Sequence, residues 1–195
     1  MNPVIEAIHD RRSVRAYEPR PIPRDIINMI IEAGNQAPSQ GCMVKGEILF
    51  QPWRFVVVED PEFKQKLVQT TLPIWKKSME SMKEMVPEIK EAMDENRDMV
   101  YYSAPVILFV IGPADAAISC ALACENIMLA AVSLGLGSCY VGFGSMVKGD
   151  AGVVQTLELK DDERIYGPIL LGYPKDEDTL AFVRQKKKEP MIKWI

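Results

Sequence analysis

Histidine is almost missing from this chain. His9 is the one histidine, beside Asp10 near the amino terminus and with no nucleophile close in sequence. A hydroxyl or thiol activated by a histidine base is therefore poorly supported. No Gly-x-x-x-x-Gly-Lys-Ser/Thr run occurs, and no Gly-x-Gly-x-x-Gly follows a strand-like segment. That removes the usual phosphate loops of nucleotide hydrolases and dinucleotide folds. Gly135, Gly137, Gly142 and Gly144 follow a helical pattern and straddle a strand, the wrong order for such a loop. A Gly-x-Ser-x-Gly nucleophile elbow is absent too.

Long apolar runs are also missing. The longest, Ala104 to Gly112, falls well short of the roughly 20 residues a membrane helix needs. Glu6 and Asp10 interrupt any secretory apolar core. Cys42, Cys120, Cys124 and Cys139 contain no Cys-x-x-Cys pair. Without histidine partners they read as free thiols in a reducing, cytoplasmic compartment, and no metal site is expected. Acidic residues exceed basic ones, for a net charge of -4 and a pI near 5.2. A general nucleic-acid binder shows the opposite balance.

Against that acidic background stands Arg11-Arg-Ser-Val-Arg-Ala-Tyr17. Three guanidiniums so close repel one another unless an anion or a set of carboxylates lies among them. Arginine suits phosphate because its planar fork donates paired hydrogen bonds and keeps its charge. The cluster reads either as a small-anion grip or as cations satisfying the end of a helix over residues 3–12.

The remaining pattern alternates helices and strands. Asn2 and Pro3 open the first helix, with Val4, Ile5 and Ile8 as its apolar stripe. Asp25 opens a second that closes near Gly34 and Pro38. Strands are expected over Arg54–Glu59, Pro105–Ile111, Ser138–Phe143 and Ile165–Leu171. Helices are expected over Phe63–Leu72, Ala114–Leu134 and about Asp150–Leu159. Ala114–Leu134 is apolar nearly all round, apart from Glu125 and Asn126, and is expected to be central and buried. Trp75–Met99 is methionine-rich, helical and broken near Pro87. Its Met79, Met82, Met85 and Met93 fit ordinary core packing or a substrate-facing, lid-like excursion. No repeat or linker divides the chain, so 1–195 is expected to form one layered α+β or α/β domain. The polar, basic 175–195 tail is expected to pack onto a partner subunit. An anion grip without acid–base machinery suits an enzyme whose cofactor carries the chemistry.

Arg11-Arg-Ser-Val-Arg15, Ala37-Pro-Ser39, Gln51-Pro-Trp53 before a Phe-Val-Val strand, Leu134-Gly-Leu-Gly-Ser-Cys139 and Gly172-Tyr-Pro174 occur in that order. Together they resemble the FMN-dependent nitroreductase family over nearly the whole chain. The resemblance implies an α+β sandwich with a mostly antiparallel central sheet flanked by helices, assembled as an intertwined homodimer. FMN would lie at the dimer interface, and the 114–134 helix would belong to that interface. NADH or NADPH would reduce the flavin, and a nitroaromatic or quinone would reoxidise it by a ping-pong cycle. Specialised relatives, a reductive dehalogenase and a flavin-cleaving enzyme, and a non-catalytic flavin-binding module are the alternatives.

The same resemblance assigns residues. Arg11, Arg12 and Ser13 match positions holding the FMN phosphate and ribityl chain, and Arg15 matches the cation near flavin N1 and O2. Pro38 and Ser39 match the segment reaching FMN from the other subunit. Tyr140, Val141 and Gly142 match the strand along the flavin ring, with the Gly142 N–H toward N5. Lys186 and Lys188 match tail cations on the phosphate. Two departures stand out. The family's asparagine before Gln51-Pro-Trp53 is missing, and Gln40–Phe50 is inserted there. That insertion reads as a substrate-determining loop or a surface excursion, with Cys42 as an exposed thiol.

Overall fold

A computed structural model of the chain describes residues 2–44, 46–82, 84, 86–175 and 189–195. In chain order the elements are α1 (Pro3–Asp10), α2 (Arg24–Asn35), β1 (Cys42–Val44), β2 (Glu47–Leu49), β3 (Arg54–Val58), α3 (Pro61–Met79), α4 (Pro87–Asp94), β4 (Val106–Pro113), α5 (Ala117–Ser133), β5 (Gly137–Tyr140), α6 (Ala151–Thr156), β6 (Glu163–Ile165) and β7 (Ile169–Gly172). Single 3-10 turns cover Glu80–Met82 and Gly142–Ser145.

The longest apolar run becomes the centre of the sheet. The strand order is β3-β4-β7-β5, with β6 also paired to β4, and every one of these pairs is antiparallel. Successive side chains of β4 point to opposite faces. Ile107, Phe109 and Ile111 join Leu67 and Trp75 of α3, Ala92 of α4 and Val153 of α6. Val106, Leu108 and Val110 join Ile27 and Ile30 of α2 and Ala123 and Ile127 of α5. Because both faces of β4 are covered, its sequence is continuously apolar rather than alternating. The result is the expected α+β sandwich: an antiparallel sheet flanked by helices.

Local chemistry sets the helix starts. The Asn2 side chain accepts from the Val4 amide at 2.9 Å, Asp60 from Phe63 at 2.7 Å and Asp150 from Val153 at 3.0 Å. Several expected boundaries move. α3 runs straight through Pro73 to Met79. An interior proline costs about 3 kcal/mol in an isolated helix. Here Leu67, Thr71, Leu72 and Trp75 bury on both sides of it and hold the helix together. Pro87 starts α4 rather than breaking a helix, since a first-turn proline loses no bond. Met79 and Met93 pack against the core, whereas Met82 is exposed. Met85 lies outside the described residues.

The expected strand over Ile165–Leu171 is split into β6 and β7 around Tyr166-Gly-Pro168, where Pro168 has no N–H to donate. The inserted 40–50 segment forms the β1–β2 hairpin, turning at Gly46 with φ 87°. Two apolar stripes face outward within one chain. Val4, Ile5 and Ile8 of α1 are exposed, Val4 by 64%. α5 buries Cys120, Ala123, Cys124, Ile127 and Ala131 but exposes Ile118 by 72%, along with Leu122. Its all-round hydrophobicity therefore does not mean all-round burial within one subunit.

The segment after α1 is stitched to β5. Val14 donates its amide to the Ser138 carbonyl at 2.9 Å, and Ser13 and Ser138 form a parallel bridge. Gly137 permits the approach, because a Cβ there would lie 2.7 Å from both Val14 Cβ and Cγ2. Gly137→Ala is expected to cost about 1–3 kcal/mol through overpacking, or roughly 2–4 °C in Tm per kcal/mol for a chain of this size. Adding Val14→Ala to that variant should recover part of the loss, so thermal melts of the two singles and the double will be non-additive.

A second anchor ties the far corner of the sheet. Arg54 grips Glu163 through Nε–Oε1 at 2.9 Å and Nη2–Oε2 at 2.7 Å, and also donates to the carbonyls of Leu157 and Glu158. The hydrogen bond from Arg54 holds the Glu163 carboxyl below the usual carboxylate range, against the opposing effect of burial. A depressed carboxylate stabilises the fold above its unfolded value and loses that contribution as pH falls through the folded value. Glu163→Gln should therefore flatten the acid limb of the Tm–pH profile. An unchanged acid limb would show that this pair does not set it.

Candidate cofactor site

α1 ends at Asp10, and the Arg11 amide donates to the Ala7 carbonyl at 2.9 Å. The chain then runs extended along β5 and past the end of β7. Val14 and Tyr17 point inward, and the Tyr17 hydroxyl donates to the Val14 carbonyl at 2.5 Å. The Glu18 amide donates to the Tyr173 carbonyl at 2.9 Å. With Val14 and Tyr17 fixed as inward anchors, Arg12 and Ser13 are half-buried and Arg15 is exposed.

One carboxylate enters the cluster. Arg11 Nε lies 3.7 Å from Glu125 Oε1 of α5. The ion pairs among the described residues include neither Arg12 nor Arg15. The Arg15 guanidinium lies over the Tyr102 ring, 5.8 Å from its centroid. The partial helix-end reading thus holds for the backbone of Arg11 alone. Arg12 and Arg15 are left with positive charge that no described acid neutralises. Ser138 Oγ, in the same bridge, is buried without a hydrogen-bond partner among the described residues. Such a hydroxyl is a polar atom that a bound group can satisfy.

Beyond the bridge lies the Cys139 thiol. Burial pushes its pKa up, opposed by Arg15, by a hydrogen bond with Ser13 and by Arg11. Burial likewise pushes the Cys124 thiol up to about 12. Both are protonated at neutral pH and make poor nucleophiles. Among the described residues, no group of three or more His, Cys, Asp or Glu is arranged to hold a metal ion.

β5 ends at Tyr140, so Tyr140–Gly142 is not all strand as expected. The Val141 amide donates to the Pro168 carbonyl at 3.1 Å, one step beyond the last β5–β7 pair, and pairing ends there because Pro168 has no N–H to return the bond. Gly142 opens a 3-10 turn. A Cβ at Gly142 would meet nothing within 4 Å, so open space lies in front of this backbone. The leading N–H groups of such a turn find no acceptor within it. Tyr140 is exposed and Val141 is buried.

Ala37-Pro-Ser39 is held elsewhere. Ser39 Oγ accepts from the Gln51 amide at 3.1 Å, and the Gln40 amide donates to Ser119 Oγ of α5 at 3.1 Å. Asn35 takes up the work around Gln51-Pro-Trp53. Its carbonyl accepts from Gln51 Nε2 at 2.8 Å and its Oδ1 from the Trp53 indole at 3.1 Å. No hydrogen bond or ion pair among the described residues joins Pro38 or Ser39 to the arginine segment. One chain therefore brings Arg11, Arg12, Ser13 and Arg15 together on the segment beside β5, and ties Ser39 and Gln40 to Gln51 and Ser119 instead. Lys186 and Lys188 lie outside the described residues.

Two residues at this site were not among the sequence candidates. Glu125 had a signal, as one of two polar interruptions in an apolar helix. Tyr102 had none, because its position depends on a tertiary turn.

The comparisons with known proteins agree with this architecture. The family model described as the nitroreductase family matches residues 8–173. A solved nitroreductase with bound FMN from Bacteroides fragilis is 31% identical, with a TM-score of 0.72 over 99% of this chain and 96% of that one. A protein of Archaeoglobus fulgidus named for NADH dehydrogenase or NAD(P)H nitroreductase activity is 29% identical over 91% of this chain and 88% of its own. An iodotyrosine deiodinase bound to FMN and 3-iodo-L-tyrosine shares the fold at 23% identity and a TM-score of 0.62, over 98% of this chain and 96% of that one. With the family model spanning the arginine segment through β7, and the sheet and helices to match, this chain belongs to the nitroreductase family.

Proposed function

We propose that this chain binds FMN as a homodimer and uses NADH or NADPH to reduce a flat electrophilic acceptor, a nitroaromatic or a quinone. The observation that carries the reading is the charge of Arg12 and Arg15, unpaired by any described carboxylate, on the segment that bridges to β5, the strand leading into the open Gly142 turn. Bound FMN would supply the hydride-transfer chemistry between a reduced nicotinamide and the acceptor, so the protein need supply no nucleophile. That fits a site whose thiols are buried and held protonated.

The chain's own residues then bind and orient. Arg11, Arg12 and Ser13 hold the phosphate and ribityl chain. Glu125 tempers Arg11 and fixes its reach. Arg15 would face the N1/O2 edge, where a preorganised cation would raise the flavin's affinity for electrons. The Gly142 amide would face N5, and the missing side chain would admit close approach. Pro38 and Ser39 would approach from the partner subunit, and the sequence match assigns Lys186 and Lys188 to the phosphate.

The homodimer accounts for apolar surface that one chain leaves in water. Val4, Ile5 and Ile8 of α1 and Ile118 and Leu122 of α5 form one part of it. Met191, Ile192 and Trp194 at the carboxyl end are also exposed, Trp194 by 89%. Exposed apolar patches of this kind mark interaction surfaces. Among the described residues no helix is long and apolar enough to cross a membrane.

Comparing FMN with riboflavin isolates the phosphate. Arg12→Ala should weaken FMN binding by about 10- to 100-fold, the scale of a charged hydrogen bond, and leave riboflavin binding nearly unchanged. Equal loss for both ligands would remove Arg12 from the phosphate. With a nitroaromatic or quinone under anaerobic conditions, double-reciprocal plots against NAD(P)H should be parallel. Bound FMN without NAD(P)H oxidation by any acceptor would leave a flavin-binding module instead.

A further inference from the structure

Resting on the reading of Arg15 and Gly142 as flavin-facing, we propose that the 98–104 turn positions both. Tyr102 sets the direction of the Arg15 guanidinium, and Tyr101 anchors the Gly142–Ser145 turn. Tyr102 is thus a positioning residue that tunes the cofactor through Arg15.

The turn is built to a shape its residues disfavour. Tyr102 and Ser103 have φ of 51° and 52°. Left-handed conformations cost roughly 1 kcal/mol or more for each such residue and persist only where surroundings impose them. The imposing group is Asp98. Its Oδ1 accepts from the Val100 amide at 3.1 Å and the Tyr101 amide at 2.8 Å, and its Oδ2 from the Ser103 amide at 3.0 Å. The far end is fixed as well. The Lys64 ammonium donates to the carbonyls of Ala104 at 3.2 Å and Pro105 at 2.8 Å, at the entry to β4. Glycine takes these angles without strain, but glycine carries no ring.

The two rings go to the two elements beside the candidate site. Tyr101 is 1% exposed, and its hydroxyl donates to the Gly144 carbonyl at 2.9 Å. Its ring packs directly on Gly144, where a Cβ would lie 2.9 Å from Tyr101 Cε1. The next residue, Tyr102, presents its ring to Arg15 at 5.8 Å. Burial raises the Tyr102 pKa, with Arg15 opposing, so the phenol is neutral at working pH. A neutral ring face directs a guanidinium without cancelling its charge, as a carboxylate would. A charge kept intact and aimed is what a cation at the electron-accepting edge of a flavin requires.

The test uses flavin-loaded protein and reads the two-electron midpoint potential. Tyr102→Gly removes the ring while relaxing the backbone at that φ, so the turn survives. It should shift the potential in the same negative direction as Arg15→Leu, by about threefold to tenfold in the redox equilibrium, where tenfold is about 30 mV. Adding Tyr102→Gly to Arg15→Leu should move it no further, because the ring acts through that one group. Tyr102→Phe, which keeps the ring, should return the wild-type value. If Tyr102→Gly leaves the potential in place while Arg15→Leu shifts it, or if the two shifts add, the positioning role is overturned and the Arg15 assignment survives. If Arg15→Leu itself shifts nothing, the assignment beneath the inference fails.

Discussion

The hydrogen bond from the Val14 amide to the Ser138 carbonyl is the contact on which the site depends. It lays an extended segment along the edge of β5 where only a glycine at 137 leaves room. From that single register follow the inward Val14 and Tyr17, the half-buried Arg12 and Ser13, and the outward Arg15. It also sets the arginine segment against β5, the strand that leads into the turn at Gly142. A slip of one residue would exchange the inward and outward sets, and the cationic groups would meet the core.

Electrostatics then separates structure from function in this chain. The well-satisfied charges are structural. Arg54 and Glu163 bond to each other twice and to three backbone carbonyl or amide partners nearby. Lys64 is taken up by two carbonyls, and Asp98 by three amides. Arg12 and Arg15 are different: the fold fixes them without supplying a described counter-charge. In an acidic protein with many carboxylates available, that omission is what makes an anionic ligand the natural complement. The outward apolar stripes of α1 and α5 have the same logic in hydrophobic form, each an element held by the fold with an apolar face left exposed on one chain.

Much of this was legible in the sequence. β4 and α5 announce themselves by unbroken apolar residues, and the arginine cluster by its charge. The motif order carries the family. The errors have physical causes. The expected helices stop at Leu72 and resume at Trp75, whereas α3 runs unbroken through Pro73 because the core holds it from both sides. All-round hydrophobicity in α5 reads as burial, because sequence cannot tell a covered face from one awaiting a partner. β5 stops at Tyr140 because Pro168, opposite Val141 in the β5–β7 register, has no N–H to return the bond. Ser39 is held by Gln51 across the inserted hairpin. The left-handed Tyr102 has no signature, since Asp98 and Lys64 enforce it in three dimensions.

The central claim is that the arginine segment holds FMN in a site completed by a second copy of the chain. Sedimentation velocity of freshly purified protein, followed at flavin and protein wavelengths together, tests it most directly. The account predicts flavin absorbance moving with a species of twice the 21.9 kDa chain mass, with one flavin per chain. A colourless species of single-chain mass that stays colourless and monomeric after addition of FMN would contradict it.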